Sequence, residues 1–303
     1  MVNKLIASML PYMPKKFVWL FSRRYIAGKD IEDALQVTSE LAVEGASVTL
    51  DHLGEYIRDL GQARETREVY MSMIDRFGQE NLPATFSLKP SAFGMLIDYE
   101  TCFEYIRQVV EKAVKYQSFV RIDMEDSGCV DREIELYRRL HELFPFHVGL
   151  VVQAYLKRTP ADLEYLAGFH SEYTPVNLRL CKGIYVEPPD VAVQDRKAIN
   201  KQFVEALSFL FERGIFVGIA THDRQLTDAS RDLIKRFGLK NEDYEFQMLY
   251  GVTPELRREL LAEGHRMRIY VPFGKEWFGY STRRLKENPK MAFYVIKALF
   301  FRG

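Results

Sequence analysis

Short runs rich in β-branched and aromatic residues alternate with longer stretches of helical periodicity along most of this chain. Each short run ends before a stretch in which apolar residues recur every three or four positions, which is the pattern of a strand followed by a helix. The predicted strands are residues 47–51, 84–88, 119–123, 148–152, 177–180, 216–220, 244–248 and 267–271.

This regular alternation predicts a parallel sheet, because parallel neighbours need a crossover connection that is usually helical. Eight strand–helix units in about 250 residues match the usual size of a closed (β/α)₈ TIM-type barrel. A doubly wound open sheet is the alternative, and the absence of a GxGxxG turn makes it less favoured. We therefore predict an N-terminal helical arm over residues 1–45 and one α/β barrel domain over residues 46–303.

The helices are predicted from the same periodicity. Two of them should begin at Thr–Pro pairs, with Thr159 and Thr253 as N-caps and proline at the first helical position. The other predicted helices cover residues 55–77, 99–114, 131–144, 192–213 and 224–237, and a last one carries residues 280–287.

A polar or charged residue lies at or close to the end of every predicted strand. In a barrel these ends and the loops after them form the face where active sites lie. The residues at these positions are Asp51, His52, Glu55, Lys89, Asp123, Met124, Glu125, Asp126, Gln153, Arg179, Lys182, Thr221, His222, Asp223, Gln247 and Tyr270.

These positions allow several chemical interpretations. Lys89 could form a structural ion pair with Asp123 on the next strand, or it could be a Schiff-base lysine. An inward-pointing Arg179 would also pair with Asp123. Asp123, together with nearby acidic residues and His222, could hold a metal, but the spacings match no ligand motif and we favour no metal site. His222 could alternatively cap the helix that follows it.

A second candidate feature lies near the end of the chain. Tyr280, Arg283, Arg284 and Glu287 are spaced i, i+3, i+4 and i+7, which places them on one face of a helix. Two adjacent guanidinium groups suit bidentate binding of a carboxylate. The glutamate one turn later is placed to orient one of them. A solvated helix face with local ion pairs is the alternative interpretation.

Amino-acid composition argues against several classes of partner and site. The chain has 303 residues with 42 basic and 42 acidic side chains, so we expect no nucleic-acid partner. The three cysteines are far apart, which argues against a disulfide framework or a zinc site and suits a reducing cytoplasm. Apolar stretches with interspersed basic residues occur near both ends. We expect these to pack on the barrel, with peripheral contact at the inner face of the cell membrane as the less favoured alternative.

Taken together, the motifs resemble those of the proline dehydrogenase family. The resemblance runs in order over roughly residues 45–290, and the YxxRRxxE pattern at residues 280–287 is its most specific part. The other segments that carry it are Lys89 and residues 120–127, 153–155, 179–185, 220–223, 245–251 and 270–279. Three positions depart from the usual family pattern, Pro90, Cys181 and Ile184, but none removes a charged group.

The resemblance implies FAD as cofactor, L-proline as substrate, Δ1-pyrroline-5-carboxylate as product and a quinone as electron acceptor. It implies that Arg283, Arg284 and Lys89 bind the substrate carboxylate while Tyr270 and Tyr280 line the pocket. Asp123 and Glu287 would offset the positive charge, Asp123 would be the nearest candidate base, and Glu55 would close over the substrate by pairing with Arg283. The residues expected at FAD are Met124, Gln153, Arg179, Lys182, Gly183, Ile184, Thr221 and His222.

Two competing functions remain open at this point. The first is a lyase or aldolase barrel that uses Lys89 for Schiff-base or phosphate chemistry. The second is a non-catalytic barrel that binds an amino acid. Because barrels host many chemistries, the fold alone cannot decide between these and an oxidoreductase.

Overall fold

The computed structural model describes residues 18–19, 22–82 and 84–281. Its strands form a closed, parallel barrel in which each strand pairs with the next and the last pairs with the first. This confirms the predicted (β/α)₈ TIM-type barrel. The strands are β1 (Ser47–His52), β2 (Ala84–Leu88), β3 (Val120–Ile122), β4 (Val148–Gln153), β5 (Asn177–Cys181), β6 (Phe216–Ala220), β7 (Tyr244–Leu249) and β8 (Met267–Phe273).

The helices lie between the strands in the predicted order. A helix precedes the barrel, and a short 3-10 helix (Pro90–Phe93) follows β2. The α-helices described are α1 (Ile31–Val43), α2 (Leu60–Gln79), α3 (Tyr99–Lys115), α4 (Val130–Leu143), α5 (Thr159–Ala167), α6 (Arg196–Glu212), α7 (Arg224–Phe237) and α8 (Pro254–Ala262).

Two helices begin later than the sequence predicts. The helix expected from residue 55 begins at Leu60, because Tyr56 has a φ of +49° and Asp59 caps the helix by accepting from Gln62 N at 3.0 Å. The helix expected from residue 192 begins at Arg196, where Asp195 is the cap. Apolar periodicity continued across both boundaries, and the aspartate caps that mark the true starts were overlooked.

One of the two predicted threonine N-caps was wrong. Thr159 is the first residue of α5, and its hydroxyl donates to the carbonyl oxygen of Gln153 at 2.6 Å instead of capping the helix. Thr253 is the N-cap residue of α8 and Pro254 is the first helical residue, as predicted, although the Thr253 side chain makes no cap hydrogen bond. In both cases the hydroxyl is used to fix a strand end or the loop after it.

The outward face of the barrel carries the apolar core. Leu50, Phe86 and Ile122 are almost completely buried and pack in one cluster with residues of the surrounding helices. Ala34 and Leu41 of α1 belong to the same cluster. Replacing a buried phenylalanine such as Phe86 by alanine costs about 3–5 kcal/mol. The proposed division between residues 45 and 46 stays a prediction.

The inward face is polar, although barrel interiors are commonly filled by branched aliphatic side chains. Alternate residues on a strand share a face, and the paired register brings Thr49, Thr85, Arg121, Arg179, Glu245 and Arg268 to the interior. Arg268 Nε donates to Glu245 Oε1 at 2.6 Å, and Arg121 Nη1 donates to the Asn177 carbonyl oxygen at 2.7 Å. These contacts compensate the cost of burying charge.

No helix among the described residues is long and apolar enough to cross a bilayer.

Candidate active site

Lys89 lies immediately after β2, at the mouth of the barrel, and precedes the 3-10 helix. Its Nζ donates to Asp51 Oδ2 at 2.9 Å and lies 3.7 Å from Asp123 Oδ2. It also donates to the Tyr270 hydroxyl at 3.3 Å. The expected pair with Asp123 is therefore present, but the nearer carboxylate is Asp51 on β1.

Asp123 joins side chains from three strands. Its Oδ1 accepts from Ser87 Oγ at 2.9 Å and from Arg179 Nη1 at 2.8 Å. Its Oδ2 accepts from the Tyr270 hydroxyl at 2.7 Å. The pair with Arg179 that the sequence suggested is thus formed inside the barrel. We refer to Lys89, Asp51, Asp123, Arg179 and Tyr270 as the mouth cluster.

The electrostatics of the mouth cluster fix the protonation of Lys89 and Tyr270. Burial lowers the pKa of the Lys89 ammonium, but Asp51 and Asp123 outweigh it and raise that pKa above its usual value. Burial, reinforced by Asp123 and Asp51, raises the pKa of the Tyr270 phenol well above its usual value. Lys89 therefore stays charged and Tyr270 stays a donor. A Schiff-base lysine must lose its proton to act, so this environment disfavours that interpretation.

Arg179 is only 6% exposed and has partners on three sides. Besides Asp123, its Nη1 donates to Ser87 Oγ at 3.0 Å, and its Nε donates to Gln247 Oε1. Its Cζ lies 5.2 Å from the centroid of the Tyr270 ring. The guanidinium is therefore held in one orientation at the mouth.

A second charged group lies beyond β5 and β6. Lys182 Nζ donates to Asp223 Oδ2 at 2.6 Å, and Arg196 Nη2 donates to the same oxygen at 3.2 Å. Burial raises the pKa of the Asp223 carboxyl, but the Lys182 and Arg196 hydrogen bonds outweigh it and hold the pKa at about 2. Asp223 also caps α7 by accepting from Gln225 N at 3.1 Å. Two cations thus lie together at the rim of the mouth.

Gly183 follows Lys182 in a conformation that requires glycine. Its φ is +106°, and a Cβ there would lie 2.1 Å from ring atoms of Tyr155. The Tyr155 ring therefore occupies the space that a side chain at position 183 would need. The neighbouring Ile184 is 44% exposed, and Val186 is fully exposed.

The remaining expected cofactor residues line the strand ends. Gln153 Nε2 donates to the carbonyl oxygen of Glu125 at 2.7 Å, which ties the end of β4 to the loop after β3. Met124 in that loop is 6% exposed. Thr221 Oγ1 accepts from the backbone N of Asp223 at 3.1 Å.

The alternative role of His222 as a helix cap was wrong. His222 Nε2 accepts from Leu249 N at 3.2 Å, while Nδ1 lies 3.3 Å from Thr253 Oγ1. The ring therefore ties the ends of β6 and β7 together, and Asp223 caps the helix. Within the described ranges no group of three or more His, Cys, Asp or Glu side chains could hold a metal ion.

Part of the predicted site lies beyond the described residues. Arg283, Arg284 and Glu287 fall outside them, so their predicted roles stay predictions. Tyr280 is described and is buried, with 8% of its surface exposed. Glu55 lies in the loop after β1, and its pairing with Arg283 likewise stays a prediction.

The roles of three side chains of this site were not predicted from the sequence. Asp51 and Gln247 were noted only as strand ends, although they hold Lys89 and Arg179 respectively, and Ser87 was not noted at all. The period of two along a strand was the available signal. It places Ser87 on the same face as Lys89, and Asp51 opposite Ser87 on the adjacent strand.

The family model described as proline dehydrogenase matches residues 34–295 of this chain. The chain belongs to the proline dehydrogenase family. It is therefore an oxidoreductase enzyme, and neither the lyase hypothesis nor that of a non-catalytic barrel is supported by this membership.

Proline dehydrogenases of similar length are among its relatives. Proline dehydrogenase 1 of Bacillus subtilis is 33% identical over 280 residues, which are 92% of this chain and 91% of that protein. The proline dehydrogenase of Deinococcus radiodurans is 31% identical over 291 residues, covering 95% and 92% of the two chains.

Solved structures share the fold. The structure of proline utilization A (PutA) from Bdellovibrio bacteriovorus inactivated by N-propargylglycine superposes with a TM-score of 0.86 at 23% identity. The match covers 95% of this chain and 37% of that longer one. At this identity the likeness shows the shared barrel fold.

Proposed function

We propose that this proline dehydrogenase family member oxidises L-proline to Δ1-pyrroline-5-carboxylate, with bound FAD as the hydride acceptor and a quinone as the next electron acceptor. The observation that carries the proposal is the mouth cluster, in which Lys89, Arg179 and Tyr270 converge on Asp123 inside a chain of this family. Oxidation of proline is the reaction that family membership supports. The proposal adds to this reaction the FAD cofactor, the hydride transfer and the quinone acceptor.

The charge balance of the mouth cluster indicates which residues bind the substrate carboxylate. In the mouth cluster two cations, Lys89 and Arg179, already face two carboxylates, Asp51 and Asp123. A substrate carboxylate brought to this cluster alone would be an uncompensated buried charge, which costs several kcal/mol.

Further positive charge must therefore come from elsewhere in the chain. Arg283 and Arg284 would supply two positive charges, of which Glu287 would offset one. This supports binding of the proline carboxylate by the arginine pair with Lys89 beside it. Tyr270 and Tyr280 would line the apolar ring of the substrate, because a phenol presents an apolar face and a polar tip.

The described residues fit FAD on two counts. FAD combines an anionic pyrophosphate with a flat, largely apolar ring system. The rim offers Lys182 and Arg196 as cations and the exposed aliphatic side chains of Ile184 and Val186. The residues proposed to hold FAD are Met124, Gln153, Arg179, Lys182, Gly183, Ile184, Thr221 and His222.

When bound, FAD would supply the acceptor, its N5 atom, for the hydride that leaves proline C5. Arg179, already fixed by Asp123 and Gln247, would stabilise negative charge that develops on the cofactor. Asp123 accepts hydrogen bonds from Ser87, Arg179 and Tyr270. Since its oxygens are occupied in this way, we propose that it holds these groups in place instead of acting as the general base.

The proposal also includes an electron acceptor and a location in the cell. A quinone is the acceptor that the family resemblance implies, and an enzyme that passes electrons to a membrane quinone must at least visit the membrane surface. We propose a cytoplasmic protein that reaches this acceptor by peripheral contact with the inner face of the cell membrane.

Product analysis tests the proposed function. The purified protein is incubated with L-proline and a soluble quinone, and the product is identified by mass spectrometry. We expect a species that has lost two hydrogen atoms relative to proline, and FAD in the supernatant after denaturation. A covalent adduct at Lys89 after borohydride treatment, with no oxidised product, would instead support Schiff-base chemistry.

A further inference from the structure

Gln247 on β7 connects the mouth cluster to the charged interior of the barrel. It is 4% exposed, and its two amide atoms have different partners. The oxygen Oε1 accepts from Arg179 Nε, and Nε2 donates to Glu245 Oε1 at 2.7 Å. The same Glu245 oxygen accepts from Arg268 Nε at 2.6 Å. A continuous hydrogen-bonded chain therefore runs from Arg268 at the barrel bottom to Arg179 at the mouth.

The chemistry of the two neighbours fixes the direction of the Gln247 amide. A guanidinium only donates, so the amide oxygen must face Arg179. Burial raises the pKa of the Glu245 carboxyl, but the Arg268 guanidinium outweighs it and lowers that pKa below its ordinary value. An ionised carboxylate only accepts, so the amide nitrogen must face Glu245. If the amide were flipped, its nitrogen would face the Arg179 donor and its oxygen would face the Glu245 acceptor, and neither hydrogen bond could form.

Gly218 on β6 provides the space for this amide. Residue 218 is paired with Glu245 in the β6–β7 register. A Cβ at position 218 would lie 2.3 Å from Gln247 Nε2 and 2.8 Å from its Cδ. The φ of Gly218 is not in the positive range, so the close approach of the Gln247 side chain is the reason that glycine is needed here.

We propose that Gln247 is a positioning residue for the oxidation: it holds the Arg179 guanidinium in the orientation that stabilises the reduced cofactor, and the Glu245–Arg268 pair and Gly218 hold Gln247. This inference rests on the proposed function, because it assigns Arg179 a role beside the flavin. Gln247 need not touch the substrate or the cofactor. Its replacement should therefore change the rate and the cofactor potential more than the affinity for proline.

Two variants and one control test the proposal. Gln247→Met keeps the side-chain length but removes both hydrogen bonds, and Gly218→Ala displaces the amide without altering a polar group. Thr38→Val is the matched control, because it removes a buried hydroxyl that donates to the carbonyl oxygen of Ala34 at 2.7 Å. Its side chain lies in α1 and makes no hydrogen bond to any member of that hydrogen-bonded chain among the described residues.

The measurements are kcat, KM for L-proline and the reduction potential of the bound flavin. In both variants we expect kcat to fall at least tenfold, KM to stay within about twofold, and the equilibrium for two-electron reduction to fall about tenfold. That last change corresponds to about 30 mV. The Thr38→Val enzyme should keep wild-type kcat and potential.

The outcomes separate this inference from the proposed function. A wild-type protein that holds no flavin, or whose flavin L-proline does not reduce, would refute the proposed function and with it this inference. A wild-type enzyme that is reduced by proline, with both variants at wild-type kcat and potential, would overturn the inference alone. Equal losses in Thr38→Val would also overturn it, because they would show a general response to the loss of a buried hydrogen bond. Should Gln247→Met not fold, the milder Gly218→Ala variant decides.

Discussion

Lys89 is a buried cation whose charge depends on Asp51. The Asp51 side chain is 1% exposed, its Oδ2 accepts from Lys89, and its Oδ1 has no hydrogen-bond partner among the described residues. Asp123 is farther from the Lys89 ammonium, at 3.7 Å. Asp51 is therefore the main compensation for a charge that would otherwise be expensive to bury.

Removal of the Asp51 charge should destabilise the folded enzyme. We expect Asp51→Asn to lower the free energy of unfolding by about 3 kcal/mol, because Lys89 loses its nearest carboxylate. The control is Asp228→Asn, the same change in the exposed pair with Arg231, where about 0.5 kcal/mol or less is expected. Urea unfolding of both variants measures the difference, and equal effects would contradict the account.

His52 makes the stability of the folded protein depend on pH. Burial, followed by the charges of Lys275 and Lys89, lowers the pKa of the imidazole from its ordinary value of 6.5 to about 4. Between these two values the unfolded chain binds a proton that the folded protein does not. Because of His52, the free energy of unfolding therefore decreases as the pH falls from 6.5 to 4. Below pH 4 this effect of His52 changes little.

Replacement of His52 by phenylalanine should remove this dependence. An aromatic ring keeps the contacts with Tyr70 and Phe273, whose centroids lie 6.4 Å and 5.5 Å away. We expect wild type to lose about 2 kcal/mol more than His52→Phe between pH 8 and pH 5. Urea titrations at both pH values test this, and parallel losses in the two proteins would show that His52 does not titrate as described.

At the scale of elements, Ser91 ties together the loops that follow β1, β2 and β3. Its Oγ accepts from Tyr56 N at 3.0 Å and donates to Glu125 Oε2, while its backbone N donates to Glu125 Oε1 at 2.8 Å. Tyr56 also donates from its hydroxyl to Asp126 Oδ2 at 2.7 Å. Ser91 lies two residues after Lys89, so this network connects Lys89 to the loop that carries Glu55.

Loss of the Ser91 hydroxyl should therefore loosen the β1 loop. We expect Ser91→Ala to raise KM for proline several-fold, with FAD retained, and to lower stability by about 1–2 kcal/mol because the Tyr56 amide loses its acceptor. Ser230→Ala is the control, since its buried hydroxyl donates to Leu226 O at 2.7 Å within α7. That variant should lose stability at unchanged KM. A Ser91→Ala enzyme with wild-type KM would refute the connection.

Strand positions were easier to predict than helix starts. The runs at 84–88 and 216–220 coincide with β2 and β6, because β-branched and aromatic residues concentrate where the sheet is buried. The starts of α2 and α6 were placed too early because apolar periodicity continues beyond the helix. Their caps, Asp59 and Asp195, act through single hydrogen bonds that periodicity does not register.

At the scale of the whole molecule, the order of strands was predictable and the interior chemistry was not. Eight repeated units imply a closed barrel, and closure brings every strand end to one face. The sequence therefore predicted that Lys89, Asp123 and Arg179 would meet. It did not predict that Asp51 holds Lys89 or that Gln247 holds Arg179, because such partners depend on the register between strands.

For the molecule as a whole, we propose that the barrel mouth brings the ring of L-proline to a bound flavin, with Arg283 and Arg284 holding the carboxylate. A planar guanidinium binds a carboxylate through two parallel hydrogen bonds, which a lysine ammonium cannot reproduce. The variant Arg284→Lys keeps the charge and removes this geometry, so it separates the two contributions.

The most direct measurement is the visible absorbance of the purified enzyme during anaerobic titration with L-proline. We predict a flavin spectrum that L-proline bleaches, and an Arg284→Lys enzyme that keeps its flavin but needs at least tenfold more L-proline for the same bleaching. A colourless wild-type protein, or a flavin that L-proline leaves oxidised, would contradict the central claim. Identical titration curves for wild type and Arg284→Lys would show that the substrate carboxylate does not depend on the guanidinium of Arg284 for binding.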